Sequence, residues 1–329
     1  MRELVYVALE QGVGPSSVHR SYTVPLAFGL VIVAIVPYVA LKVLWLTGSA
    51  VGFKDASAAA EMHSTRLVVG NNVTIGLELI AVALAIGLIH PRGVRVPAWV
   101  MVGIGASATG LLAPILIGLP LGSLLQLAVD GEVHTDGMDH LSGWVFALVY
   151  GGFCLLAISL FLLAWRYALI RWSSRLNRFP PLPTRWTLLA GVLGLLPFAA
   201  AMLWWGLSGP GNSGPQSMDA IAQRSVLVVA GLLALGGFLA PLVAQTWRWR
   251  PRVAWLITWT GCTTAALQSP AMLLLADQGR PTPAGAALAL ITIPGATAYG
   301  LLALRQPSSR RPAPAVGGGR RRRVDRGDC

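Results

Sequence analysis

Charged residues are scarce in this chain. They make up 12% of it, whereas a soluble domain usually carries about 25%. Hydrophobic residues account for 55%, and the mean hydropathy is +0.65. A soluble fold of this composition would need several helices with almost no polar face. The composition therefore excludes an ordinary soluble domain and predicts an all-α integral membrane protein.

Cysteine and lysine are also scarce. Cys154, Cys262 and Cys329 form no Cys-x-x-Cys pair, so a thiol–disulfide relay has no support. Lys42 and Lys54 are the only lysines, and the formal charge of +12 is carried almost wholly by arginine. These arginines lie between and after the apolar runs, which is typical of membrane topology and not of a nucleic-acid surface. No nucleic-acid partner is expected, and the lipid bilayer is.

Long apolar runs alternate with short polar segments along the chain. Because a bilayer core requires about 20 apolar residues in a helix, these runs predict eight transmembrane helices. The third run stays apolar as far as Val129, and Pro114 and Pro120 are expected to kink or end its helix. Residues 121–129 would then be a re-entrant or interfacial piece. The predicted spans are 24–47, 70–89, 98–119, 141–165, 187–207, 225–246, 253–275 and 284–304.

The positive residues orient the predicted bundle. Twenty of them lie in the two terminal segments and in the loops 90–97, 166–186 and 247–252, whereas the remaining loops hold only four. Positive residues accumulate on the cytoplasmic side, so both termini are predicted to be cytoplasmic, in the cell membrane. The asymmetry alternates correctly only if the number of spans is even.

The two halves of the chain share landmarks in the same order. Trp99, Gly105 and Pro114 recur with identical spacing as a second set 156 residues later, and Pro37 with Trp45 recurs 160 residues later. This order predicts two parallel four-helix repeats related by an axis along the membrane normal. The small residues of spans three and seven are expected to let these two helices meet. The second set is Trp255, Gly261, Pro270, Pro197 and Trp205.

The repeat divides the chain into five predicted segments. They are a cytoplasmic N-terminal segment at 1–20, the first membrane repeat at 21–170, a cytoplasmic basic linker at 171–186, the second membrane repeat at 187–305 and a disordered basic cytoplasmic tail at 306–329. The tail is rich in Pro, Gly, Ser and Arg, a composition that cannot bury a core. Its arginine run would attract anionic lipids or simply anchor the topology. The run is Arg320, Arg321, Arg322 and Arg323.

One stretch resembles a known group of sequences. Pro37-Tyr38-Val-Ala-Leu-Lys42-Val-Leu-Trp45-Leu-Thr-Gly48 is similar to a segment of uncharacterised multi-pass membrane proteins of high-GC actinobacteria. The resemblance covers the first span and the loop that follows it. It implies a multi-pass membrane fold and no particular activity.

Polar residues inside a membrane are costly and are candidates for function. Glu78 is the only acid within a predicted span and Lys42 the only lysine. They are predicted to lie at comparable depth on neighbouring helices and to approach each other, and Asn71, Thr74 and Glu78 share one helical face. The alternatives are an ion pair that only fixes packing, or a lysine that extends to the membrane surface.

An acidic loop between the third and fourth spans supplies a second, weaker candidate. His134, Asp136 and His140 carry groups that bind divalent metals. No recognised ligand spacing is present, and an acidic loop is expected wherever positive residues are kept on the other side. No residue pattern identifies a cofactor.

Three classes of function stay open. A permease-like protein would move a small solute or ion through a cavity between the repeats, with Glu78 as its coupling residue. A membrane-embedded enzyme would have an outward-facing polar site. A structural or accessory subunit would leave the chemistry to a protein partner. Parallel repeats with one embedded acid favour transport, although duplication by itself is only an analogy.

Overall fold

The structure is a computed structural model. It describes residues 23–55, 65–90, 93, 95–134, 140–274, 276 and 280–305. Within these residues the chain forms α-helices and no strand, apart from an isolated antiparallel bridge between Phe53 and Leu141. The N-terminal segment and the C-terminal tail with its arginine run lie outside the described residues.

Eight of the nine described helices are 23 to 33 residues long. At 1.5 Å per residue such helices match or exceed a hydrocarbon core of about 30 Å. The helices are α1 (Thr23–Leu46), α2 (Thr65–Ile89), α3 (Ala98–Asp130), α4 (Gly143–Arg171), the short α5 (Ser173–Leu176), α6 (Arg185–Ser208), α7 (Ile221–Val243), α8 (Pro251–Leu274) and α9 (Pro283–Arg305).

Seven of the long helices are apolar enough to cross a membrane: α1, α2, α3, α4, α6, α7 and α9. The eighth, α8, has the length but is less apolar, because threonine, glutamine and serine interrupt it. Large aliphatic side chains are exposed on all eight, as expected where the surrounding solvent is lipid. The chain is therefore a polytopic helical membrane protein. Examples of the exposed side chains are Leu26, Val69, Leu121, Ile158, Leu193, Leu232, Val253 and Leu290.

We call the four long helices of each half of the chain a group. In the second half, α6 packs against α7, α7 against α8, α8 against α9, and α9 against α6. In the first half, α1 packs against α2 and α4, and α3 packs against α4, but α2 is only lightly packed against α3. The groups meet where α3 lies against α7 and α8. The expected contact between predicted spans three and seven, which are α3 and α8, is therefore present.

The third helix corrects one sequence prediction. It runs without interruption from Ala98 to Asp130, through Pro114 and Pro120, so the predicted end at 119 is wrong. A proline has no N–H and leaves the carbonyl four residues earlier without its helical donor. Here the side-chain amide of Gln268 on α8 donates to that carbonyl, Gly110 O, at 3.1 Å. A neighbouring helix thus replaces the missing bond at Pro114, and nothing in the described part of the structure explains the continuation through Pro120.

At each end of the bundle, hydrogen bonds join segments that connect the helices. At one end, Arg171 donates to Val96 O at 2.9 Å and Trp255 donates to Arg178 O at 2.9 Å. We call this the arginine-rich end, because the described residues there include ten arginines and no acid: Arg95, Arg166, Arg171, Arg175, Arg178, Arg185, Arg248, Arg250, Arg252 and Arg305. At the other end, Lys54 N donates to His140 O at 2.9 Å.

Candidate functional site

The polar residues singled out in the first half lie together between α1, α2 and α4. Lys42, Asn71 and Glu78 are each at most 7% exposed. Asn71, Thr74 and Glu78 follow one another at intervals of three and four residues, which brings them to one face of α2. That face is turned toward α1, because α1 and α2 pack together. The structure thus gathers the four predicted residues at one interface.

Lys42 is bound by neutral groups. Its Nζ donates a hydrogen bond of 2.7 Å to Asn71 Oδ1 and lies 4.8 Å from the centroid of the Tyr38 ring. An amide oxygen and an aromatic face both stabilise a buried cation. The lysine therefore has partners inside the protein and does not extend to the membrane surface.

Glu78 lies deeper in the bundle. It borders a narrow crevice with Tyr38 of α1 and Val149, Gly152 and Phe153 of α4, and this crevice is too small to admit a water molecule. Its Oε2 is fully buried and accepts no hydrogen bond from any residue that the structure describes. A carboxyl oxygen left unsatisfied in such a place is costly.

The expected direct pairing of Lys42 and Glu78 is not formed. The two groups are close enough to influence each other electrostatically, but among the described residues no ion pair joins them, and the lysine bonds Asn71 instead. Asn71 and Glu78 are separated by seven residues, or about 10 Å along α2. The residue that Lys42 bonds therefore lies about two helical turns from Glu78 on α2.

Thr74 lies between these two positions on α2. Its hydroxyl donates to Asn71 O at 2.9 Å and to Gly70 O at 3.0 Å, and it also interacts with the Tyr38 side chain. A row of polar groups thus leads from near the end of α1 to the middle of α2. Its members are Lys42, Asn71, Thr74, Tyr38 and Glu78. We call it the polar row.

Tyr38 is the member of the polar row that the sequence analysis did not include. It precedes Lys42 by four residues on α1, a spacing that places both side chains on one helical face. The spacing of four residues from Lys42 could have identified Tyr38 from the sequence. Its ring also contacts Phe153 of α4, with centroids 5.2 Å apart, which holds the phenol against the crevice.

Of the three candidate metal residues, the structure describes His134 and His140. His134 is exposed and its Nδ1 is 2.9 Å from Gln126 Nε2, whereas His140 stacks on Phe53 with centroids 5.9 Å apart. Asp136 lies outside the described residues. Among the residues that the structure describes, no three His, Cys, Asp or Glu side chains lie together in a way that could hold a metal.

The polar row offers a buried carboxyl group, a cation on an amide, and two hydroxyl groups. These groups can bind and release a proton or a small cation. They include no hydrogen-bonded nucleophile and base of the kind that acyl or phosphoryl transfer requires. No family model, curated protein or solved structure matches the chain.

Proposed function

We propose that this protein is a permease-like protein of the cell membrane that moves a small solute or ion, with Glu78 as its coupling residue. The observation that carries the proposal is the Oε2 atom of Glu78, which is buried in the middle of a membrane helix without a hydrogen-bond partner among the described residues. An embedded acid of this kind is the usual coupling group of proton- and ion-linked transporters.

The free-energy cost of burying Glu78 in the membrane argues against a purely structural role for this residue. An acid at the centre of a membrane helix costs about 2.5–3.5 kcal/mol on insertion scales. If Glu78 served packing, a direct bond to Lys42 would offset that cost, but the lysine bonds Asn71. Among the described residues, no hydrogen bond to Glu78 Oε2 offsets that cost, which favours a role in binding and releasing a charge.

The packing of α2 supports a moving part. Only 17% of its apolar stretch is buried inside the protein, and it is lightly packed against α3. A helix with few tertiary contacts opens at lower free energy than its neighbours. Movement of α2 would widen the crevice and admit water to Glu78, and its return would close the site again.

We also propose eight membrane crossings with both termini in the cytoplasm. The length of α8, Pro251–Leu274, and its packing between α7 and α9 support a crossing by this less apolar helix. The gathering of ten arginines at one end supports a cytoplasmic position for that end. A cysteine introduced at Ser213 should then be labelled from outside intact cells, and one at Arg175 should not; the opposite pattern would reverse the orientation.

The two four-helix groups are proposed to be parallel repeats. In both groups the first helix packs against the second and the fourth, and the third packs against the fourth. Trp45 and Trp205 are each 5% exposed, and each donates to the loop after its own helix, to Val51 O at 2.8 Å and to Ser213 Oγ at 3.2 Å. Equal roles for landmarks 160 residues apart support a common origin of the two groups.

Flux through reconstituted vesicles tests the function. Purified protein in liposomes carrying a pH-sensitive dye should conduct H⁺, or exchange H⁺ for Na⁺ or K⁺, faster than protein-free liposomes. Glu78→Gln should lower that flux at least about tenfold, because it removes the titrating group while keeping its shape. Flux of all three ions equal to that of empty liposomes would overturn the ion-coupled permease.

The matched control is Thr264→Val in the second half. Thr264 Oγ1 is likewise a buried polar atom without a partner among the described residues, but it lies far along the chain from the polar row. Its removal should leave the flux unchanged. Equal loss of flux in Thr264→Val and Glu78→Gln would mean that any change at a buried polar atom disturbs the bundle, and the coupling role of Glu78 would be wrong.

A further inference from the structure

A groove of about 210 Å³ lies between α3, α8 and α9, apart from the polar row. Helix α8 forms its floor, since α3 and α9 both pack closely against α8 and not against each other. Two of its threonines, Thr258 and Thr263, donate their hydroxyl protons to carbonyls of their own helix, at 2.8 and 2.9 Å. They therefore present methyl groups to the groove, whose other walls include Val102, Gly103, Ala106, Trp259 and Gly300.

The depth of the groove matches one leaflet of a bilayer. Along α8 it extends from Trp255 to Leu267, which is about 18 Å at 1.5 Å per residue. The hydrocarbon core of a bilayer is about 30 Å thick, so the groove covers roughly half of it. Its mouth lies at the arginine-rich end, near the starts of α3 and α8 and beside Leu304 at the end of α9. A partner helix would need a matching surface across the whole membrane, whereas an acyl chain is one leaflet deep.

The mouth of the groove is positively charged. Arg252 in the first turn of α8 and Arg305 at the end of α9 are both exposed. Arg252 donates to Asn177 Oδ1, a neutral oxygen, at 3.0 and 3.1 Å. Arg305 makes no hydrogen bond or ion pair to another residue that the structure describes, and no described acid lies at this end. The mouth therefore complements an anionic group at the membrane surface.

We propose that the groove binds one acyl chain of an anionic phospholipid, with the lipid phosphate at Arg252 and Arg305. An aliphatic cavity of about 150 Å³ holds a benzene molecule, so a groove of 210 Å³ accommodates a stretch of hydrocarbon. The lipid chain fills the space between α3 and α9, which do not pack closely against each other. The site is independent of the transport role proposed for Glu78.

Photo-crosslinking of lipids tests the proposal. The full chain is placed in phosphatidylcholine nanodiscs that contain a small fraction of phosphatidylglycerol or phosphatidylcholine with a diazirine midway along one acyl chain. Phosphatidylglycerol should label peptides of α8 and α9 at the groove more strongly than phosphatidylcholine does, by about fivefold for each arginine engaged. Equal labelling by the two lipids would overturn the head-group assignment, and labelling spread evenly over all helices would overturn the site.

Two matched pairs of variants sharpen the test. Gly103 lines the groove and Gly105 does not, and a Cβ added at either residue meets no atom within 4 Å. Both leucine variants should therefore fold, which size-exclusion chromatography checks. Gly103→Leu should lower groove labelling several-fold, because its side chain fills the space, and Gly105→Leu should not. Equal labelling of the two variants would show that the chain does not enter the groove.

The second pair concerns the charge. Arg305→Gln should reduce labelling by phosphatidylglycerol about fivefold and leave that by phosphatidylcholine unchanged. Arg185 is exposed at the same end but stacks on Trp186, so Arg185→Gln should change neither. An equal effect of the two arginine variants would indicate a general surface charge and no site. A protein that is dimeric by size-exclusion chromatography and whose groove peptides stay unlabelled would show that a second copy occupies the groove, and the lipid proposal would be wrong.

Discussion

The second long helices of the two halves, α2 and α7, are held very differently. Half of the apolar stretch of α7 is buried inside the protein, against 17% for α2. Gly237 of α7 meets the backbone of Gly261, whereas Gly70 and Gly76 of α2 have no neighbouring atom within 4 Å of an added Cβ. The tightly packed half relies on small residues, and the loosely packed half carries the polar row.

This difference shows where charge is accommodated. Under the proposed repeat, Lys42 in the first half is matched by the neighbourhood of Met202 in the second, and Glu78 by that of Gly236. Met202 is 1% exposed within an apolar cluster formed by α6, α7, α8 and α9. Among the described residues, the buried charged side chains lie where the helices are loosely packed, whereas the closely packed half buries only neutral side chains. A site that must open is expected in the half that costs less to open.

The largest expected effect comes from giving the second half a lysine. Met202→Lys should cost about 2.5–3.5 kcal/mol or more, the insertion penalty of an unpaired lysine in a membrane helix, because its neighbours are apolar. The yield of monodisperse protein and the thermal midpoint in detergent measure the effect. A variant as stable as the original would mean that the two halves tolerate charge equally, and the contrast between them would fail.

The next effect compares two glycines at matching places in the third helices. A Cβ at Gly261 would collide with the carbonyl of Leu233 and the backbone of Gly237, but one at Gly105 meets no atom within 4 Å. Gly261→Val should therefore cost about 3 kcal/mol, the upper end for overpacking, because backbone cannot move aside easily. Gly105→Val should stay within about 0.5 kcal/mol. Thermal unfolding of both variants in one detergent gives the comparison, and equal shifts would contradict it.

A double-mutant cycle tests the partner of Lys42. The bond from its Nζ to Asn71 Oδ1 should give a coupling of about 2 kcal/mol between Lys42→Met and Asn71→Leu, as for a hydrogen bond to a charged group. The coupling between Lys42→Met and Glu78→Gln should be smaller, because no direct bond joins those side chains. Unfolding free energies of the single and double variants decide the matter. A larger coupling to Glu78 would restore the direct pair expected from the sequence.

The smallest effect should be the same in both halves. Trp45→Phe and Trp205→Phe each remove one indole hydrogen bond to the following loop, so each should cost about 1 kcal/mol. Trp204 is 68% exposed, and Trp204→Phe serves as the control with almost no change. Thermal midpoints suffice to compare the three. A cost at Trp45 but none at Trp205 would argue against equivalent roles for the two residues.

Much of the helical architecture was predictable because its causes are local. Apolar runs of sufficient length placed the long helices, and α6 begins and ends within two residues of the predicted 187–207. The exception is α3, where the predicted break at Pro120 is absent. The sequence of α3 does not show what replaces the hydrogen bond lost at Pro114. The amide that donates to Gly110 O belongs to Gln268, 158 residues later.

The candidate site was predictable in its members and not in its bonds. Spacing along α2 brought Asn71, Thr74 and Glu78 to one face, and burial confirms that Asn71 and Glu78 lie inside the protein. Charge alone suggested that Lys42 would pair with Glu78. The partner it takes depends on how far α1 is shifted along α2, and a shift of two helical turns changes the contact without changing either sequence.

The sequence by itself determined the class of the protein, the places of its long helices and the separation of arginines from acids. Length, hydropathy and charge decide these properties, because whether a segment crosses a bilayer depends mainly on that segment's own composition and flanking charges. Only the tertiary structure decided that Lys42 bonds Asn71, that Glu78 Oε2 borders a closed crevice and that an apolar groove opens beside α8. These features depend on the rotation and depth of each helix against its neighbours, which packing of side chains from distant parts of the chain sets.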